Sequence, residues 1–170
     1  MQLILWSALI IGSVILDQIS KYLAVMHLKP MGECPLLPGI LQLRYVENTG
    51  AAFGILKGQR WLFILLSTLL IAVLVYILIR YRNRISRLLG LSLAMIVGGG
   101  IGNQIDRLFV GYVVDFFEVL FVDFAVFNVA DCFVTVGTAL AILSLLLFDR
   151  ALLTEDIPSP KDEGEKREDS

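Results

Sequence analysis

Four stretches of this chain are long and apolar enough to cross a lipid bilayer, and that leaves it few folds. The hydrocarbon core takes about 20 apolar residues of helix, and inside it every backbone N–H and C=O must be paired within the protein. The first stretch runs from Leu3 to Leu16 and continues less strictly through Tyr22, Leu23, Ala24 and Val25. The second, Trp61 to Ile79, is the cleanest; the third covers about Leu88 to Ile105 and the fourth about Ala125 to Phe148. With 57% hydrophobic residues over 170 positions, the composition excludes an ordinary soluble domain. The first stretch lacks a basic start and a small-x-small cleavage site, so it reads as a retained span.

Arg80, Arg82, Arg84 and Arg87 crowd the short link between the second and third spans, which the positive-inside rule assigns to the cytoplasm. Four spans then put both termini on that side. The expected fold is mainly α and membrane-integral: four transmembrane helices with a small extracytoplasmic β-sheet or cradle. Residues 1–150 form the membrane domain, with external segments 26–60 and 107–124. Residues 151–170 mix charge with Pro and Gly and read as a disordered cytoplasmic tail. Leu41-Gln42-Leu43-Arg44-Tyr45-Val46 alternates like a half-buried strand, and Val110 to Phe124 also reads as extended. A short amphipathic helix would fit beside this sheet.

Against that background, Asp115 in Val-Val-Asp-Phe-Phe and Asp131 in Phe-Asn-Val-Ala-Asp stand out. A carboxylate near hydrocarbon costs several kcal/mol and is kept for a task. Two that meet in space suggest a dyad sharing one proton. At 1.5 Å rise per residue, Asp131 lies ~27 Å along the helix from Asp149, close to the outer boundary of the core. Counting from Arg87 brings Asn103, Asp106 and Arg107 to a similar level, and counting from Met1 does the same for Asp17 and Lys21. The strongly polar groups therefore gather at one depth, as a single site requires.

Spacing adds detail. Asp17 and Lys21 are four apart and make an ion pair on one helix face, more in keeping with bracing the first span than with direct catalysis. Asn103 and Arg107 share a face; the arginine either snorkels to the interface or anchors a carboxylate, lipid phosphate or substrate carbonyl. Asn128, three residues before Asp131, is placed for its side-chain amide to hydrogen-bond that carboxylate and steer its proton. Glu118 and Asp123 remain open as replacements for Asp115, Asp123 sharing its strand parity. Asp106 reads as an interfacial charge neutralised by the adjoining Arg107. Gly98 and Gly102 form a G-x-x-x-G pair suited to helix packing, without nucleotide-binding meaning.

Other chemistries find little support. Cys34 and Cys132 follow no metal-ligand spacing and read as unpaired; Cys132 has no basic partner to make a thiolate. The lone His27 reads as interfacial, so neither a zinc site nor a Ser-His-Asp relay is expected, and no cofactor is assigned. The net charge of −2 comes with no basic tract that would track nucleic acid. Ser20 and Lys21, as helical neighbours, point about 100° apart, against a serine–lysine peptidase.

Five segments taken in order resemble bacterial lipoprotein signal peptidase, also called signal peptidase II. They are Asp17-Gln18-Ile19-Ser20-Lys21, Asn48-Thr49-Gly50-Ala51-Ala52-Phe53-Gly54, Gly98 through Arg107, Val113 through Phe117, and Phe127 through Asp131. The resemblance implies an aspartic endopeptidase of the bacterial cytoplasmic (inner) membrane. It would cleave prolipoproteins on the N-terminal side of a diacylglyceryl-modified cysteine, with its active site toward the extracytoplasmic face. Asp115 and Asp131 would be the catalytic pair. Asn48, Gly54, Asn103, Arg107, Asn128 and Ala130 would line or support the site, and Asp17 and Lys21 would brace it. Membrane lipid and cyclic peptide inhibitors of the globomycin type are implied partners. The alternative, a small proton-coupled transporter or relay using the same acids, is weakened by their clustering at one surface and by the absence of an evident inverted repeat.

Overall fold

The computed structural model describes residues 2–50 and 58–149. Gly54 and the 151–170 tail therefore lie outside the described residues. In chain order the elements are α1 (Gln2–Leu23), a π-helical turn (Ala24–Leu28), α2 (Lys29–Met31), β1 (Glu33–Leu37), β2 (Leu41–Asn48), α3 (Arg60–Arg80), α4 (Arg87–Phe109), β3 (Val113–Val119) and α5 (Val129–Leu147). Four of the helical stretches, Gln2–Met31, Arg60–Arg80, Arg87–Phe109 and Val129–Leu147, are long and apolar enough to cross a membrane. The expected four-span architecture is the observed one.

α4 is the hub. It packs against α1, α3 and α5, and half of its span window is buried, against 6% for α3. Gly98 and Gly102 face α1, where an added Cβ would meet Ser13 and Asp17; Gly99 faces α5, where it would meet the Ala130 carbonyl. The G-x-x-x-G spacing thus works as read, and the adjacent Gly99 does the same for a second neighbour. One apolar cluster, including Trp6, Leu78, Leu89, Leu93, Val97 and Ala141, fills the half of the bundle away from the sheet. Leu65 and Leu69 on α3 are 65% and 61% exposed. Such an apolar surface is stable where lipid takes the place of water.

The three strands form one antiparallel sheet in the order β1-β2-β3. β2 and β3 fall where alternation and Val/Phe content indicate. β1, Glu-Cys-Pro-Leu-Leu, carries no such pattern, and its proline suits the edge position it holds. Gly39, at φ +72°, closes the hairpin between β1 and β2. A second cluster of Ala24, Leu28, Val114 and Phe116 seats the sheet on the end of α1. Among the described residues no amphipathic helix accompanies the sheet; the chain has only the three-residue α2 beside the π turn.

One boundary differs from the sequence-based expectation, and it matters for the site. α5 begins at Val129 rather than near Ala125, because Asn128 caps it. Just before that cap Phe127 bridges back to β3, exchanging hydrogen bonds of 2.8 and 3.0 Å with Phe117. The top of α5 is thereby fastened beside β3.

Candidate active site

Asp115 is carried by β3 opposite Val46 of β2, so Asn48, two residues further along β2, is its diagonal neighbour on the same face. Asn48 Nδ2 donates to Asp115 Oδ2 at 2.9 Å, while Asn48 Oδ1 accepts the Gly50 N–H at 2.9 Å. The turn after β2 thus orients the amide that holds one carboxylate oxygen. The other oxygen, Oδ1, accepts Asn128 Nδ2 at 2.6 Å.

Asn128 and Asp131 form a reciprocal capping box at the start of α5. Asn128 Oδ1 accepts the Asp131 N–H at 3.0 Å and Asp131 Oδ2 accepts the Asn128 N–H at 3.1 Å. Asn128 is fully buried and joins the two acids, but not as its spacing suggests: the side-chain amide donates to Asp115, and only the backbone N–H meets the Asp131 carboxylate, because the side-chain oxygen caps α5. Asp131 Oδ1 accepts Asn103 Nδ2 from α4 at 2.8 Å. Each carboxylate therefore has both oxygens engaged by N–H donors. A cavity of about 460 Å³ lies against Asp131, lined also by Phe127, Cys132, Thr135 and Val136.

Beneath the pair sits a buried ion cluster. Lys21 Nζ lies 2.8 Å from Asp17 Oδ2 and 2.9 Å from Asp106 Oδ2, and donates to Asn103 Oδ1 at 2.8 Å. Asp17 Oδ1 accepts the Ala130 N–H at 2.9 Å, which ties α1 to the first turn of α5. Asp106 Oδ2 accepts the Val114 N–H at 3.2 Å, which ties α4 to β3. Burying three charges is tolerable only because each is paired and hydrogen-bonded.

Asp106 corrects the sequence reading: Lys21, and not the adjoining Arg107, is its partner. Gln18, which spacing does not single out, donates from Nε2 to Asp106 Oδ1 at 3.0 Å and to the Gly102 carbonyl at 3.2 Å. The available signal was position, since Asn103 and Asp106 are three apart on one helix face. Arg107 does not snorkel outward. Its guanidinium lies 5.3 Å from the Phe63 ring centroid, donates to the Asn103 carbonyl at 3.3 Å and to the Gly50 carbonyl at 3.5 Å, and feels the charges of Asp131, Asp115 and Asp106.

The other acids stand apart. Glu118 pairs with Arg44 at 3.0 Å and accepts Gln42 Nε2 at 2.6 Å; Asp123 lies beyond the end of β3 and is exposed, so strand parity does not apply to it. Ser20 Oγ is spent on the Asp17 carbonyl at 2.7 Å, leaving no serine–lysine pair. Cys34 and Cys132 are both free thiols, and His27 is exposed.

Electrostatically the pair is unequal. Burial is the main influence on Asp115, which is 2% exposed, and the Asp131 charge adds to it; hydrogen bonds from Asn48 and Asn128 and the Lys21 charge act in the opposite sense. The net result pushes the Asp115 carboxyl up to about 7. Two acids tied through one asparagine, one of them titrating near neutrality, can take a proton from water and give one to a carbonyl oxygen.

The family profile described as "Signal peptidase (SPase) II" matches residues 9–147. Lipoprotein signal peptidases of Streptococcus pyogenes serotype M5 (strain Manfredo) and serotype M18 (strain MGAS8232) are each 45% identical over 133 residues, covering 78% of this chain and 86% of theirs. A bacterial membrane enzyme solved by the in meso method at 2.3 Å resolution superposes with a TM-score of 0.77 at 29% identity, covering 91% of this chain and 93% of that one. A second, solved at 1.9 Å, gives 0.74 at 31% identity, with coverages of 84% and 93%. With the family match over residues 9–147 and the fold shared over 91% of the chain, the chain belongs to the signal peptidase II family.

Proposed function

We propose that Asp115 and Asp131 are the catalytic dyad of this membrane peptidase. The chain is an aspartic-type signal peptidase II that removes the signal peptides of prolipoproteins. The observation that carries the dyad is Asn128, which donates from its side chain to Asp115 and from its backbone to Asp131 at 2.6 and 3.1 Å. The Asp131 charge works against ionisation of Asp115, so the pair holds one proton between them. One aspartate takes a proton from the attacking water while the other donates to the scissile carbonyl. No covalent intermediate is needed. Asn48, Asn103, Asn128 and Arg107 hold the pair and line the site, Gly54 belongs with them, and Asp17, Lys21 and Ala130 brace it from below.

The scissile bond lies on the N-terminal side of a diacylglyceryl-modified cysteine, whose acyl chains remain in lipid while the peptide reaches the dyad. A cyclic peptide of the globomycin type would compete for the same place. The enzyme lies in the bacterial cytoplasmic membrane. Residues 1–150 form the catalytic unit, with the sheet and dyad toward the extracytoplasmic face. The Arg80–Arg87 link, both termini and residues 151–170 face the cytoplasm.

The purified enzyme, offered a diacylglyceryl-modified prolipoprotein and its unlipidated twin, should release a new N-terminal lipid-bearing cysteine from the first alone. Asp115→Asn and Asp131→Asn should each reduce that cleavage by roughly 10³-fold or more while the protein still inserts and folds. Full activity in either variant would remove that residue from the dyad. The transporter reading gains nothing from the structure: outside the site, Asp149 is the remaining buried acid among the described residues, and it is taken up by Ser86 and Ser144 at the opposite end of the bundle.

A further inference from the structure

Granting that Asp115 and Asp131 are the catalytic pair, their division of labour is still open, and the cation beneath them bears on it. We infer that Lys21, acting through the Asn103 side chain, is the positioning residue that makes Asp131 the water-activating base and Asp115 the proton donor.

An ammonium group has only donors, so the atom of Asn103 that faces Lys21 Nζ at 2.8 Å must be the amide oxygen. The same oxygen accepts Asn128 Nδ2 at 3.0 Å. Fixed in this way, Asn103 presents its NH₂ to Asp131 Oδ1 at 2.8 Å. Turned over, it would present an oxygen instead, an arrangement that suits only a protonated Asp131. Lys21 shuts that arrangement out. It cannot swing away, because Asp17 and Asp106 grip it at 2.8 and 2.9 Å.

Two further features set Asp131 for the role of base. It is the third residue of α5, where the helix N-terminus favours negative charge, and its second oxygen accepts the Asn128 N–H. The cavity of about 460 Å³ beside it has room for a water molecule. Asp115 also accepts N–H bonds on both oxygens, from Asn48 and Asn128, so what sets it apart from Asp131 is that it has no helix terminus, no link to Lys21 through Asn103, and only 2% exposure. Among the described residues, the charged groups facing the pair are Asp17 and Lys21 from α1, Asp106 and Arg107 from α4, and the two acids themselves, with the Cys132 thiol of α5 beside Asp131.

The proton count closes. Asp131 takes a proton from water as the water oxygen bonds to the carbonyl carbon, and Asp115 gives its proton to the carbonyl oxygen. In the collapse the C–N bond breaks, Asp131 returns its proton to the leaving nitrogen, and a hydroxyl proton of the tetrahedral intermediate passes to Asp115. The starting state is restored.

The test is the full-length Asp17→Asn/Lys21→Met double variant, assayed on a diacylglyceryl-modified prolipoprotein. Asn at position 17 keeps an oxygen for the Ala130 N–H, and the double change removes the Asp17 charge together with the Lys21 charge it pairs with. Expected are a KM close to wild type, a kcat lowered about a hundredfold at neutral pH, and an acidic limb of the kcat–pH profile raised by about one unit. A lower melting temperature with an unchanged profile would reduce Lys21 to scaffolding and overturn the inference. Asp106→Asn guards against a double variant that does not fold. It relieves Lys21 of one anion, strengthening its hold on Asn103, and should move the acidic limb to lower pH; an unmoved or raised limb overturns the inference equally. Wild-type cleavage beside an inactive Asp115→Asn separates either result from a failure of the dyad itself.

Discussion

A carboxyl buried in β3 with its titration pushed up to about 7 carries a cost that depends on pH. Burial is the main cause, and the folded protein keeps a proton on Asp115 that the unfolded chain releases near pH 4. Between about pH 4 and pH 7 the native state therefore binds more protons, so stability falls as pH rises through that window. Asp115→Asn removes this dependence. Melting temperatures taken at pH 4 and pH 8 should show the wild type losing more on going alkaline than the variant does, and equal losses would contradict the assignment of that titration to Asp115. Activity should follow the same proton. With Asp115 as the donor, wild-type kcat should decline on the alkaline side with a midpoint near 7, as read from a pH–rate profile in detergent micelles. Asp106 teaches a different lesson at this scale. Its sequence neighbour Arg107 suggests a surface ion pair, but its partner Lys21 is brought in by the packing of α1 on α4. Spacing along one helix announces i,i+4 pairs such as Asp17–Lys21; it does not announce a third member from another helix.

At the scale of elements, α4 holds the site together because its glycines let two helices come close on different faces. An added Cβ at Gly102 would stand 2.5 Å from Asp17 Oδ2, inside the ion cluster, and one at Gly99 would press on the Ala130 carbonyl in the first turn of α5. At Gly100 it would meet only the flexible end of Ile71, at 3.3 Å. Gly99→Ala and Gly102→Ala should each destabilise the protein by about 1–3 kcal/mol and lower kcat, since they displace Asp131 or Lys21. Gly100→Ala should stay close to wild type in both thermal unfolding and turnover. Equal effects at all three positions would mean that close approach is not what these glycines provide. The four helices were legible because each spends about 20 residues on a uniform apolar pattern, and β2 because Leu41 to Val46 alternates. β1 was not, since an edge strand with Pro35 needs neither alternation nor a full set of donors. The start of α5 was set four residues early for a related reason. Ala125 to Phe127 are apolar enough to extend a span, but Phe127 satisfies its backbone against Phe117 instead.

At the scale of the whole molecule, polarity is divided between the two ends of the bundle. Lys21, Asn103, Arg107 and Asp131 gather at one end with the sheet, while the Arg80–Arg87 link lies at the other, 16 residues or ~24 Å of α4 separating Arg87 from Asn103. A helix such as α3, with Leu78 its one buried residue, has little to hold it against the bundle in water and needs lipid around it. The proposed orientation rests on the arginines, because Lys and Arg in short links are retained on the cytoplasmic side, whereas the proposed dyad would have to meet substrates emerging on the other. This is open to direct measurement in a Cys34→Ser/Cys132→Ser background. Asp123 and Asn83 are both exposed, the first in the loop after β3 and the second in the arginine link. In intact spheroplasts an impermeant maleimide should label Asp123→Cys at once and Asn83→Cys only after the membrane is permeabilised. Reversed labelling would turn the enzyme over in the membrane and set its aspartates facing the cytoplasm, where a peptidase of exported precursors would meet no translocated substrate.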